Sequence, residues 1–539
     1  MSDNNQKRGL TPIFLLLLLA ACGDAGTRTP VDDILVNGKV LTLDHKGTVA
    51  SVVVVDDGRI VAVGGEVLID RYEAQESTDL QGRLLIPGFI DSHTHIRGQP
   101  NRYIALNDTR SIRELKQQVA DKAVELGPGE WITGYGWSED VMEELRRPLR
   151  EDLDEAAPAN PVYLQRAGGH SAVVNSLALT IAGVDKDTPD PDGGIIERDN
   201  AGELNGIIRE SHEMVGRFVP EASDDEVRES LVRMLEDQLK LGITSLVHAT
   251  GTIGHYPEWE RIYREHAGEL PRATVQLAWE GSEAMAAFGK KTGDGDEFLE
   301  VGAVKVFVDG GFTGPAAYTK EPYRGQGDYR GKLNLTVEEL RKVIGEAHAA
   351  GWQLGIHAIG DAAIELTVDE LVAALQDAPR PNHRHYLNHF TVMPSTETML
   401  AMAENEIAIT QQPNFTYTLE GRYVEYLDGD RLQHNNPLRS PMDHGIHVAI
   451  SSDILPIGPM VGIQAAVTRK GMSGAVYGKE EALTVVEALR AYTALGAWLT
   501  FDEQQKGTIE PGKLADMVVL DQDILDVDPD PRIRDAGLI

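Results

Sequence analysis

Five stretches far apart in the chain read as apolar β-strands that carry, at or near their ends, a side chain able to hold a metal. The first, Leu84-Leu85-Ile86-Pro87-Gly88-Phe89-Ile90-Asp91-Ser92-His93-Thr94-His95, closes on two histidines spaced i, i+2. Side chains alternate faces along a strand, so His93 and His95 point the same way with Cα atoms roughly 7 Å apart, close enough to grip one divalent ion. Residues 301–308 are β-branched and hold Lys305 among apolar neighbours, followed by Asp309-Gly310-Gly311. Residues 352–357 end in His357, 385–389 in His389, and 447–453 in Asp453. An isolated buried charge costs several kcal/mol, so a Lys, two His and an Asp, each on its own strand, resist explanation as packing.

Helical patterns separate these strands, for example over 336–350 and 362–375. Strand alternating with helix over several hundred residues implies a parallel sheet with crossover helices. Functional side chains at strand C-termini are the habit of the (β/α)8 barrel. The expected barrel strands are 85–92, 162–166, 244–249, 301–308, 353–357, 386–389, 408–412 and 447–452. Before them lie strand-like runs around Asn37-Gly38 and Asp57-Gly58, both hairpin signals, and after them comes the strand-like Ala515-Asp516-Met517-Val518-Val519-Leu520. The expected fold is therefore α/β: a (β/α)8 TIM barrel over 87–496, inserted in a small composite β-sandwich made of 32–86 and 497–539.

The ordered ligand types, with their flanking text, resemble the amidohydrolase superfamily and within it amidohydrolase family 3, the branch that includes N-substituted formamide deformylases. The matching pieces are Pro87 to His95, Gly168-Gly169-His170-Ser171-Ala172-Val173-Val174-Asn175-Ser176, Gly193-Gly194-Ile195-Ile196 with Gly206-Ile207-Ile208-Arg209-Glu210, Lys305 to Gly310, and Pro511-Gly512-Lys513-Leu514-Ala515-Asp516. Together they span nearly all of the chain beyond its N-terminal segment, and as an ordered set they are specific. The resemblance implies two divalent metal ions. His93 and His95 would bind one with Asp453, His357 and His389 the other, and Lys305 would bridge them. An ammonium cannot ligate a cation, and some members of the superfamily carboxylate this lysine with carbon dioxide; the other reading of Lys305 is a salt bridge to Asp309. With a single cysteine in the whole chain, the ligands are nitrogen and oxygen, which suits zinc without excluding manganese or iron.

The implied activity is hydrolysis of a carbon–nitrogen bond other than a peptide bond, in a small-molecule amide, formamide or cyclic amide. Asp453 would shuttle the proton to the leaving nitrogen. His170 is the candidate donor to the oxyanion and a substrate contact, or else a histidine packed under a loop. Trp137, Phe312 and Tyr323 are candidates to line the pocket, although aromatic residues are more often core. Two other functions compete. A mononuclear aminohydrolase that deaminates a heterocycle typically places a glutamate three residues after the strand 5 histidine, where this chain has Gly360. A non-catalytic binding lipoprotein on the same barrel would have lost a ligand, and none is lost.

A formal net charge of −35 argues against nucleic acid and against electrostatic adhesion to anionic lipid. Lys7 and Arg8 precede the apolar run 13–19, too short to span a bilayer, and Leu19-Ala20-Ala21-Cys22 is similar to a bacterial lipobox. The expectation is a signal peptide over 1–21, lipid on Cys22, a tether over 22–31, and a bacterial cell-envelope location facing the periplasm or exterior, with the lipid as the only membrane attachment. A homo-oligomer is compatible with the sequence. Members of the family usually finish on a further valine-rich strand, whereas this chain stops at Ile539; either that strand is missing or the sequence is truncated.

Overall fold

The computed structural model describes residues 28–538, apart from 97, 108, 140–141, 168–170, 192, 267, 313, 454–457, 526–532 and 534–535. At its centre is an eight-stranded, all-parallel sheet. Its strands are β1 (Phe89–Thr94), β2 (Ile243–Gly251), β3 (Arg272–Ala278), β4 (Leu299–Phe307), β5 (Leu354–Ala358), β6 (Tyr386–His389), β7 (Ala408–Gln411) and β8 (Val448–Ile450). The sheet curls until Thr94 meets Asp453 in a parallel bridge, so β1 and β8 close a (β/α)8 barrel. Helices Asp224–Lys240, Val337–Ala349 and Asp361–Asp377 are among its crossovers, and their apolar faces pack with the strands in one large core.

One expected barrel strand lies elsewhere, and one barrel strand was not expected. Residues 162–166 do form a strand, Val162–Arg166, but not in the barrel. It sits in a separate six-stranded sheet, parallel to Ile132–Trp137 and antiparallel to Ser171–Val174. That sheet is the bulk of the long insertion between β1 and β2. The barrel strand missing from the sequence reading is β3. Its composition, Arg-Ala-Thr-Val-Gln-Leu-Ala, lacks the continuous apolar run that marks buried parallel strands. The polar side chain of Gln276 is nonetheless fully buried and is hydrogen-bonded to the Tyr386 hydroxyl across the barrel.

The run from Leu84 to Thr94 serves two sheets. Leu84–Pro87 pairs with Met517–Leu520 and Lys39–Leu41 in a four-stranded sheet, and Phe89 then begins the barrel. Gly88 is the joint. A side chain there would collide with Thr244, so only glycine lets β1 leave one sheet and press against β2. A second four-stranded sheet, of Thr29–Val36, Val52–Asp56, Arg59–Gly64 and Tyr72–Asp79, shares an apolar core with the first through Leu35, Val40, Val53, Ile60 and Leu85. Asp57-Gly58 turns a hairpin, with Val52–Asp56 antiparallel to Arg59–Gly64. Asn37-Gly38 does not: the chain passes there from one sheet to the other, and Gly38 packs so tightly on Leu80 that no Cβ fits. Residues 29–31, expected as tether, belong to the strand Thr29–Val36. At the other end, Leu538 bridges Leu520 on the edge of the first small sheet.

Candidate metal centre

The C-terminal ends of β1, β4, β5, β6 and β8 bring their polar side chains to one point. His93 and His95 leave β1 on the same side, their rings 5.3 Å apart, and Asp453 Oδ1 lies 3.6 Å from His93 Nε2 and 3.1 Å from His95 Nε2. His389 completes a group with His93 and Asp453 whose donor atoms all fall within 4.8 Å of one another. Its ring sits 4.9 Å from that of His93 and 4.4 Å from that of His357. Lys305 Nζ reaches within 3.5 Å of His93 Nε2. All six expected ligand positions thus converge. His389 and Asp453 both hold positive φ, 81° and 63°, a conformation that non-glycine residues adopt at a cost. His389 is the last residue of β6, and Asp453 lies three residues past the end of β8.

The donor chemistry suits a divalent cation. Burial holds His93 and His389 well below the usual imidazole range and brings His357 down to about 3, with the nearby Lys305 charge acting the same way. The rings are therefore neutral, the form that ligates metal. His357 Nε2 and Asp453 Oδ1 are buried without a hydrogen-bond partner. Two orphaned acceptor-type atoms in one buried cluster are costly unless something electropositive sits between them.

Outer contacts fix the ring orientations. His93 Nδ1–H donates to Asn388 Oδ1 at 2.7 Å, and His389 Nδ1–H donates to Gln412 Oε1 at 2.8 Å, while His95 Nδ1 bonds Thr250 Oγ1 at 3.0 Å. Each bond leaves Nε2 free to face the cluster. The buried Asp91 carboxylate accepts from the amides of His93 and Ser452, tying the ligand-bearing ends of β1 and β8 together. Burial nonetheless pushes Asp91 up to about 7. None of Asn388, Gln412, Thr250 and Asp91 was singled out in the sequence. The available signal was a run of polar residues at strand ends, Asn388-His389 and Gln411-Gln412 above all.

Lys305 is buried and drawn down to about 7 by desolvation, against the raising pull of Asp453. A salt bridge to Asp309 is not what holds it. The Asp309 carboxylate accepts instead from the amides of Tyr318, Ile359 and Gly360, with His357 Nε2 3.6 Å away.

Beside the cluster opens a cavity of about 210 Å³, lined by His95, His357, His389 and Asp453 on one wall and by aromatic and aliphatic side chains on the other. Phe312 lines it as expected. Trp137 does not: it is fully buried in the core of the six-stranded sheet, its indole N–H donating to Leu164 O. The strand Ile132–Trp137 belongs to that second core and not to the pocket wall. Tyr323 packs edge-on behind Phe312, with ring centroids 5.5 Å apart and its hydroxyl on Ala317 O. It backs the wall without facing the cavity. Phe307, Phe415 and Tyr423, not foreseen, complete the aromatic lining. His170 and Cys22 lie outside the described residues.

The family model described as "Amidohydrolase family" matches residues 76–537. A Bacillus subtilis (strain 168) protein named as an amidohydrolase, YtcJ, is 31% identical over 510 residues, 91% of this chain and 94% of its own length. An N-substituted formamide deformylase of Arthrobacter pascens is 29% identical over 528 residues, 92% of this chain and 94% of its own. Among solved structures, an uncharacterized metal-dependent hydrolase from Pyrococcus furiosus superposes with a TM-score of 0.69 at 25% identity, covering 92% of this chain and 99% of that one.

Proposed function

Because the chain belongs to the amidohydrolase family, we propose that it is a metal-dependent hydrolase cleaving a carbon–nitrogen bond, other than a peptide bond, in a small-molecule amide, formamide or cyclic amide. The observation that carries the reading is the buried cluster of His93, His95, His357, His389 and Asp453 beside a cavity, with His357 Nε2 and Asp453 Oδ1 left without a hydrogen bond. His93 and His95 would hold one ion with Asp453, and His357 and His389 a second, most simply zinc given an all nitrogen-and-oxygen set. Such ions supply Lewis acidity and an activated water at neutral pH. Asp453, which lines the cavity, would take the proton of the attacking water and hand it to the leaving nitrogen. His170 would donate to the developing oxyanion. Lys305, drawn to about 7, has a substantial neutral fraction at physiological pH, the form that reacts with carbon dioxide. Carboxylated, it would present an anion between the two histidine pairs.

Against the deaminase reading, the position where such enzymes typically carry a glutamate is Gly360. Gly360 presses against the Tyr318 backbone so closely that no side chain fits there. The relative named as an N-substituted formamide deformylase adds weight to the amide reading. The test is elemental analysis of purified protein with activity on a panel of formamides, N-acyl amino acids and cyclic amides. Two divalent ions per chain at full activity, loss with a chelator and return on adding zinc are expected. Full activity at one ion or fewer removes the two-metal reading, and activity untouched by metal removal removes the mechanism. We propose further that lipid on Cys22 holds the enzyme at the cell envelope. Among the described residues no helix is long and apolar enough to cross a membrane.

A further inference from the structure

The wall facing the metal ligands is built from two loops that meet over the barrel mouth. Phe312 comes from the segment after β4, and Phe415 and Tyr423 come from the helical segment after β7. Phe312 stacks edge-on to Tyr423 at 5.4 Å, and both belong to one apolar cluster with Phe415 and Ile359. The two loops are latched to each other. Arg324 donates from its backbone to Tyr426 O and from its side chain to Glu425 O and Val424 O, while Arg431 donates back to the carbonyls of Glu321 and Pro322. These ties to backbone oxygens fix the ring positions whatever the side chains nearby. Phe312, Phe415 and Tyr423 are almost wholly buried, so they form a preset surface rather than a mobile rim.

Among the described residues, the only ionisable groups lining the cavity besides the Tyr423 phenol are His95, His357, His389 and Asp453, all on the metal side. Among the described residues, the opposite wall offers mainly π faces and methyl groups and no cation to meet a carboxylate. At about 210 Å³ the space falls below the usual 300–1,000 Å³ of ligand pockets, which suits a single ring-sized group. Burying a charged substituent against such a wall carries a desolvation cost that none of the described lining residues there offsets. A flat ring gains area burial and edge or face contacts with three aromatic neighbours.

We propose that the substrate carries an uncharged, ring-sized aromatic group next to its scissile bond, and that Phe312, Phe415 and Tyr423 are the specificity-determining residues that receive it. This rests on the amide-hydrolase reading of the metal centre, and binding separates the two. Phenylethyl, butyl and carboxymethyl hydroxamates are titrated calorimetrically into metal-loaded protein, and amides bearing the same three substituents are assayed for turnover. The aryl member is expected to bind at least tenfold tighter than the butyl member, with the carboxymethyl member weakest. Phe415→Leu and Phe312→Leu should each cut the aryl-to-butyl ratio several-fold with unchanged metal content, which reports an intact fold. If the aryl hydroxamate binds preferentially and no amide is turned over, the hydrolytic reading falls and the aromatic receptor stands. Equal or better binding of the carboxymethyl ligand, or an aryl preference that survives both leucine variants, overturns the assignment.

Discussion

On the proposed two-metal reading, Lys305 is the side chain on which the chemistry turns. Its amine is buried, lies 3.5 Å from a histidine nitrogen, and among the described residues has the Asp453 charge to favour its protonated form. Replacing it with alanine is expected to reduce activity to the level of metal-free protein, and added short-chain carboxylic acid to restore part of it by occupying the vacated space. Lys305→Arg should not recover, because a guanidinium stays charged. An alanine variant with full turnover would mean that the lysine only packs. The ligand positions were legible because each closes or interrupts an apolar run, and a titratable group in such a place has few structural reasons to be there. Their orienting partners were not. Asn388 and Gln412 are ordinary amides within the strand pattern, and Asn388 meets His93 across a separation of 295 residues. Trp137 was misread for a related reason: a large aromatic ring signals burial without saying in which core.

At the scale of elements, the barrel was readable from alternation alone, but its membership was not. β3 hides a polar face inward, and Val162–Arg166 looks like any buried strand while serving another sheet. Pairing partners are set by tertiary contacts that a single strand's composition does not record. Gly88 shows how narrow such determinants are. Since its missing side chain makes room for Thr244, Gly88→Ala should destabilise the protein by about 1–3 kcal/mol through overpacking. Thr244→Gly in the same chain should recover most of that loss in denaturant melts, with metal content as the control. A Gly88→Ala variant as stable as the parent would show that the joint has slack.

For the whole molecule, acid is a predictable weakness away from the metal. His447 stacks on Trp498, with ring centroids 3.8 Å apart, and hydrogen-bonds Leu495 O. Burial pulls it down to about 4, against the raising effect of that hydrogen bond. Unfolded, it titrates near 6.5. Between those values the unfolded chain binds more protons, so stability is whole above pH 6.5 and drains as pH falls towards 4. At pH 5 the loss from this one ring is about 2 kcal/mol. A His447→Gln variant should accordingly lose less stability than the parent between pH 7.5 and 5.0, and equal losses would remove the ring from the account. Attachment is a separate question with its own test. Globomycin, which blocks the lipoprotein signal peptidase, should cause unprocessed precursor to accumulate, and Cys22→Ser should abolish fatty-acid labelling. Protein that washes freely from membranes without label would be soluble.

The closure of the barrel has a mechanical side. Between β1 and β8 the ordinary ladder gives way to a few contacts: Asp453 N on His93 O at 2.8 Å, Ser92 Oγ on Ile450 O, and the Asp91 carboxylate on the Ser452 amide. The first of these joins two residues that would share an ion, and the other two join residues one to three positions before them. A bound cation would then act as a rivet through this seam of the cylinder, and its departure would leave the seam to hydrogen bonds of this kind. Deuterium uptake at the Asp453 amide should therefore quicken sharply on chelation, well before the distant six-stranded sheet responds.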